Sequence, residues 1–259
     1  MDWATKRQVM ILSTIFFVFL VIGVAVYFLN YYEAPTCSDK VQNQDEQGID
    51  CGGPCSVMCE ESVAEPIVLW KKAFKVAPGV YNAVAYVENP NPDLGVREAM
   101  YKFKLYDAQN VWVADRIGKA YIAPHERLAI FEPRIGVGAR TPTKVFFEFI
   151  QFSPWTKVSV PKIKMTVRDE EITNTDIAPK ADAVLRNETL LNINNIDVTA
   201  IVYDLNENAI GASATVVDTL QKSSDYTLSF TWAVPFATAP ARVEIIPRVN
   251  PFDLSITAR

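Results

Sequence analysis

Hydrophobic positions follow two different rules along this chain. From Val9 to Leu29 no side chain is charged: VMILSTIFFVFLVIGVAVYFL. A helix of that length rises roughly 31 Å, close to the apolar thickness of a bilayer. Helix is enforced there, because lipid offers no partner for an open backbone N–H or C=O. From about Pro66 the pattern changes to short runs of Val, Ile, Phe, Tyr and Thr broken by Pro, Gly and Asn, which are strand and turn signals. Ala99, Tyr101, Phe103 and Leu105 recur at every second position, as do Val145, Phe147 and Phe149, and then Val198, Ala200 and Val202. Period two places each set on one face of a strand. No long 3.6-residue period follows the first helix, so the pattern predicts one transmembrane helix and then an all-β chain.

The flanks of the apolar segment predict its orientation. Lys6 and Arg7 precede it, and the first charges after it are Glu33 and Asp39. The positive-inside rule puts residues 1–8 in the cytoplasm, residues 9–29 in the cell membrane as a single pass with the lipid bilayer as partner, and the rest outside the cytoplasm. Trp3 at one end and Tyr27, Tyr31 and Tyr32 at the other suit the two interfaces. A cleavable signal has a shorter apolar region and a small-residue cleavage site. Tyr31-Tyr32-Glu33-Ala34-Pro35 offers no such site, and Ala34-Pro35-Thr36-Cys37 does not fit a lipoprotein motif.

The β region repeats itself. AVAYVEN (83–89) aligns with ADAVLRN (181–187), and FKLYDAQNVWVAD (103–115) with AIVYDLNENAIGA (200–212). The run ending in Phe131 matches the run ending in Phe230, and VFFEF (145–149) matches VEIIP (243–247), all at offsets of 97 to 99. A constant offset implies two copies of one unit of about 95 residues, a length that suits an immunoglobulin-like sandwich. The expected architecture is all-β: two tandem immunoglobulin-like β-sandwiches, 66–156 and 157–259, behind a disulfide-rich stalk (30–65) and one N-terminal transmembrane helix.

Charge narrows the function classes. The net charge is −5 and the pI about 5.1, and the longest basic clusters are Lys71-Lys72 and Lys162-x-Lys164. Neither forms the basic surface that nucleic acid requires, so no nucleic-acid partner is expected. His125 is the only histidine, which argues against a Ser/His/Asp triad or a multi-histidine metal site.

All four cysteines, Cys37, Cys51, Cys55 and Cys59, lie in the stalk. An even number outside the membrane reads as two disulfides, with three pairings open. The alternative is a membrane-tethered redox or metal-binding protein that uses these cysteines. Cys51-x₃-Cys55-x₃-Cys59 has passable zinc spacing, with Cys37 as a distant fourth ligand, but the thioredoxin-like C-x-x-C is missing. Asp39, Asn43, Asp45, Glu46 and Asp50 crowd the loop between Cys37 and Cys51. The expectation is a solvated acidic loop; Ca²⁺ is the cofactor that such oxygens are able to hold, although the spacing is not that of an EF-hand. The stretch CSDKVQNQDEQGIDCGGPCSVMC (37–59) resembles a cysteine-rich module of exported bacterial surface proteins, roughly C-x-D-x₃-N-x₂-E-x-G-x-D-C-G-G-x-C-x-x-C, although its last interval here is three residues. That resemblance implies surface exposure rather than an activity.

FKLYD at 103–107 resembles the signature of bacterial FxLYD domains, small extracytoplasmic β-sandwiches; the second copy keeps Tyr203-Asp204 but has Ala200 in place of the aromatic. The resemblance implies fold and location. Tyr106-Asp107 and Tyr203-Asp204 are read as structural: Leu105 or Val202 in the core, the ring over the sheet end, and the carboxylate capping the turn. Asp169-Glu170-Glu171 reads as an exposed acidic edge, and His125 in Ala-Pro-His-Glu-Arg as a loop residue. Asn187-Glu188-Thr189 is a glycosylation sequon only in a host with that machinery. Trp232 and Phe236 belong to the densest aromatic group, either as core of the second sandwich or as an exposed binding patch. No catalytic residue is assigned. The expectation is a non-enzymatic membrane-anchored display or scaffold protein whose partner is an unidentified envelope protein or polymer.

Overall fold

In a computed structural model the chain forms two compact units, Met1–Cys55 and Ser56–Arg259. The structure describes residues 3–31, 36–43, 45–159 and 163–253. Tyr32, Glu33, Ala34, Pro35 and Lys162, used in the sequence reading, lie outside the described residues.

The first unit begins with one helix, α1 (Trp3–Tyr31). Its described apolar side chains are exposed all round, with Phe16 at 69% and Phe19 at 70%. A helix that is apolar on every face and has no protein core to enter is suited to lipid. At its start the Arg7 guanidinium sits 4.9 Å over the Trp3 ring. The acidic loop follows, and a disulfide joins Cys37 to Cys55. Cys51 and Cys59 are disulfide-bonded too, so no cysteine is free.

The second unit is all-β and sandwich-like. Its first strands are β1 (Ile67–Ala77), β2 (Val80–Glu88), β3 (Leu94–Tyr106), β4 (Trp112–Ile122), β5 (Arg127–Gly136), β6 (Lys144–Phe152) and the short β7 (Thr156–Lys157). Sheet β1-β2-β5 faces sheet β4-β3-β6 across a core that includes Phe103, Leu105, Ile122 and Leu128, all at 0% exposure. The remaining strands are β8 (Met165–Thr173), β9 (Lys180–Asn187), β10 (Ile193–Asp204), β11 (Ala209–Leu220), β12 (Asp225–Thr231) and β13 (Pro240–Val249). Sheet β8-β9-β12 faces sheet β11-β10-β13 across a second core that includes Leu185, Ile196, Val198 and Phe230. Every strand pairing is antiparallel.

The β unit begins at Ser56, ahead of the Pro66 at which the strand pattern starts. The reason is backbone pairing. Lys157 N–H donates to Ser56 O and Met58 N–H to Trp155 O, while Asn91 Nδ2 donates to Ala64 O. The segment expected to be the end of a stalk is therefore tied to the first sandwich.

Two central strands are buried on both faces. In β2, Ala83, Ala85 and Val87 enter the first core while Val84 and Tyr86 join a third apolar cluster; in β10, Val198 and Ala200 enter the second core while Ile201 and Tyr203 join that third cluster. Such strands read as continuous apolar runs rather than alternations, as AVAYV (83–87) and AIVY (200–203) do. β3, with one face in solvent, alternates cleanly.

Candidate functional site

The third cluster is a seam along which the outer face of sheet β1-β2-β5 packs on the outer face of sheet β11-β10-β13. Phe74, Val84 and Tyr86 meet Ile201, Tyr203 and Ala212 there, with Trp70 edge-on to Tyr203 at 6.4 Å. Polar groups close its margin. Tyr86 Oη donates to Glu244 Oε1 at 2.7 Å, Lys72 Nζ donates to Ala209 O at 2.7 Å, and the Arg242 guanidinium lies 4.0 Å over the Tyr203 ring. Burial, then Glu244, pushes the Tyr86 hydroxyl up, so it stays a donor.

At one end the seam opens into a cleft of about 540 Å³, within the usual range for a ligand site and at a junction of the kind ligands favour. Its floor is Tyr101, Ile130 and Phe131, and its walls carry Arg97, Lys119, Asp197 and Arg248. Arg248 is held firmly: Nε donates to Glu126 Oε1 at 2.6 Å, Nη2 donates to Tyr121 O at 2.9 Å, and the guanidinium lies 4.2 Å over the Tyr121 ring. Burial pushes both Glu126 and Asp197 up, and the Arg248 charge opposes the shift in each. The Tyr121 hydroxyl is buried near Asp197 without reaching hydrogen-bond geometry. The rim charges are also paired, Lys119 with Glu98 at 2.9 Å and Arg97 with Asp253 at 3.8 Å. Apart from Asp197, the charges that line the cleft are satisfied internally, which suits an uncharged ligand better than a strongly charged one.

The sequence-derived sites fall elsewhere. In the stalk, Asp39 N–H and Lys40 N–H donate to Asp50, Val41 N–H donates to Asp39, and Asn43 N–H and Asp50 N–H donate to Glu46. These carboxylates organise the loop by accepting backbone amides. Backbone Thr36 N–H and the Asn43 amide hold the Asp39 carboxyl below its ordinary range. Asp45 is exposed and outside this network. A cation would have to compete with the amides for the same oxygens. Cys37, Glu46 and Cys55 come together, but the two sulfurs are bonded to each other and are not thiolate ligands.

Trp232 and Phe236 are half-buried, with ring centroids 5.2 Å apart, and they fold onto Gly211 of β11. A Cβ at Gly211 would lie 2.5 Å from the Phe236 ring. The pair falls between the two alternatives, core and exposed patch: both rings are half-buried, and Trp232 packs against the second core. The Tyr-Asp pairs cap turns: Asp107 Oδ1 accepts from Gln109 N–H and Val111 N–H, and Asp204 Oδ1 accepts from Asn206 N–H and Asn208 N–H. The amides belong to residues two and four positions on, and both carboxyls sit below their ordinary range, with the four-residue amide as first cause. His125 is an exposed turn residue, and Asp169, Glu170 and Glu171 are exposed around a bulge in β8.

Sequence reasoning gave no structural role to Asn89 and Asn187, both at 0% exposure. Asn89 Nδ2 donates to Leu94 O and Ala123 O; Asn187 Nδ2 donates to Leu191 O and Gln221 O. Each Oδ1 accepts a backbone N–H two residues on, from Asn91 or Thr189. The Asn187 amide is thus enclosed, and the folded chain does not present it as a glycosylation acceptor. Their signal was present in the aligned VEN and LRN triplets, where a buried polar residue ends an apolar run.

No family model matches this chain, and no curated protein matches it. Among solved structures it is similar to red sea bream transglutaminase, at 9% identity and a TM-score of 0.23, over 70% of this chain and 29% of that one. That neighbour is an enzyme, so nothing in the comparisons supports the expectation of a non-enzymatic chain. At this TM-score the likeness carries no argument, and no activity is assigned from it.

Proposed function

We propose that this chain is a membrane-anchored display protein. α1 crosses the cell membrane with its N-terminus in the cytoplasm. The disulfide-bonded stalk and two related sandwiches, a tandem repeat of FxLYD-like units, lie on the other side and bind or scaffold an envelope protein or polymer. The observation that carries the reading is α1, apolar on every face and exposed throughout its described apolar side chains. The oxidised state of all four cysteines supports a compartment outside the reducing cytosol. The cleft at the seam is the seat proposed for the ligand, an uncharged peptide or glycan strand.

The test is protease treatment of intact cells, with the β unit detected by antibody. The expected result is digestion of the β unit without lysis, and retention of the protein in carbonate-washed membranes. A β unit protected until lysis would overturn the orientation, and recovery in the soluble fraction would overturn the anchor. Calcium in the stalk is a separate proposal, favoured by Asn43 Oδ1, a buried oxygen with no donor among the described residues. Calorimetric titration of the full-length protein with Ca²⁺ should give a saturable heat, and a flat titration removes the proposal.

A further inference from the structure

Of the strands that end a sheet, β6 and β12 are the least guarded; β12 (DYTLSFT) exposes Tyr226 at 42%, and β6 exposes more apolar surface, Phe146 at 54% and Ile150 at 50%. Among the described residues the only backbone ladder of β6 runs to β3, and KVFFEFIQF holds neither Pro nor Gly. Other edges carry the usual defences against strand recruitment: lysines at 71, 72 and 75 in β1, Pro133 in β5, a charged bulge in β8, and Pro247 in β13. On β6 the only charges are Lys144 and Glu148, and between them Phe146 is 54% exposed. An unpaired N–H and C=O row beside an exposed aromatic is a template for strand addition.

We propose that β6 pairs antiparallel with β6 of a second copy, joining two β4-β3-β6 sheets into one. Charge selects this occupant, although within one copy Glu148 already pairs with Lys104 at 2.6 Å and Lys144 donates to Asn110 Oδ1 at 2.5 Å, so the contact between copies extends existing pairs. About a two-fold axis at Phe146, Lys144 of each copy lies opposite Glu148 of the other, and Phe146 faces Phe146. All three side chains belong to the exposed set of the strand, while Val145 and Phe147 stay with the core. Centring the axis on Glu148 would oppose like charges, which is unfavourable. A second copy carries the complementary sequence by symmetry, as an isologous contact requires.

The test uses the full-length protein in detergent micelles. The native chain has no free cysteine, so Phe146→Cys introduces a single thiol. Mild oxidation should yield a disulfide-linked dimer, while Ile117→Cys, on β4 of the same sheet, should not. Against the Phe146→Cys background, Lys144→Glu should lower the cross-linked fraction about fivefold, since an attractive pair becomes repulsive twice per dimer. Adding Glu148→Lys should restore it. Circular dichroism on each variant separates loss of pairing from loss of folding. Light scattering that shows only monomer overturns the proposal. So does a dimer in which Phe146→Cys cross-links no better than Ile117→Cys, the outcome expected if α1 held the copies together.

Discussion

The two sandwiches have the same strand order and give the same sheet opposite surroundings. In the first, the outer face of β3 and β6 presents Lys104 and Phe146 to solvent; in the second, the positions 97 or 98 residues on are Ile201, at 0% exposure, and Glu244, bonded to Tyr86. A lysine keeps one sheet face wet, and an isoleucine at the matching place lets the other be covered. Strand topology is therefore indifferent to which face is buried, and a few outward positions decide it. The result is asymmetric: the β1-β2-β5 face of one sandwich packs on the β11-β10-β13 face of the other, leaving the β4-β3-β6 face open.

The strongest way to break this contrast is Ile201→Lys, which copies the first sandwich's residue into the seam. An unpaired charge there should cost more than about 3 kcal/mol. Calorimetry should then resolve two unfolding transitions in place of one, whereas Lys104→Ile should leave the fold intact and increase self-association.

Next in size are Asn89→Ala and Asn187→Ala. Each leaves buried carbonyls without a donor, a loss of about 2–4 kcal/mol. Hydrogen exchange should show the loosening confined to the sandwich that carries the change. Loosening of both would mean that the seam couples them more tightly than the loop bonds imply.

Gly211→Ala sharpens the contrast at a finer scale. Its counterpart is Ala114, on the strand that pairs with Leu105 as Gly211 pairs with Val202. Sandwich two needs glycine because Trp232 and Phe236 occupy the space of a Cβ. The cost should be about 1–2 kcal/mol, with a shift in Trp232 fluorescence; Ala114→Gly should leave that signal unmoved.

The smallest effect is on acid unfolding. The folded pKa of Asp107 and of Asp204 lies below the unfolded value, near 3.9. Their stabilisation is therefore complete above that value and falls away as pH drops through the folded pKa. Asp204→Asn should flatten the acid limb of the second sandwich only. Asp107→Asn should do the same for the first and add salt sensitivity, because Asp107 also pairs with Arg140 at 2.6 Å.

Much of the fold was legible because it follows from one-dimensional period. Alternation in Tyr101-x-Phe103-x-Leu105 marked the core face of β3, and those three are at 5%, 0% and 0% exposure. The Tyr-Asp turns were also legible, since an Asp that caps amides two and four residues on is a local device. The seam was not. Val84, Tyr86, Ile201 and Tyr203 stand out only as extra apolar residues in strands already apolar, and nothing local says what covers a second buried face. The cleft was hidden for the same reason, since Tyr101, Tyr121 and Asp197 come together only once two sheets meet.

By itself the sequence determined the apolar helix, the strands and their inward faces, and the even cysteine count. Each depends on the spacing of side chains along one backbone, which is set by the 1.5 Å rise of a helix or the two-residue repeat of a strand. Tertiary structure alone decided that Cys37 bonds Cys55, that Asn89 and Asn187 hold loops from inside, and that one sheet face is covered while its counterpart stays open. Those outcomes depend on contacts between segments far apart in the chain, where shape and burial in three dimensions choose among partners that the linear pattern leaves equivalent.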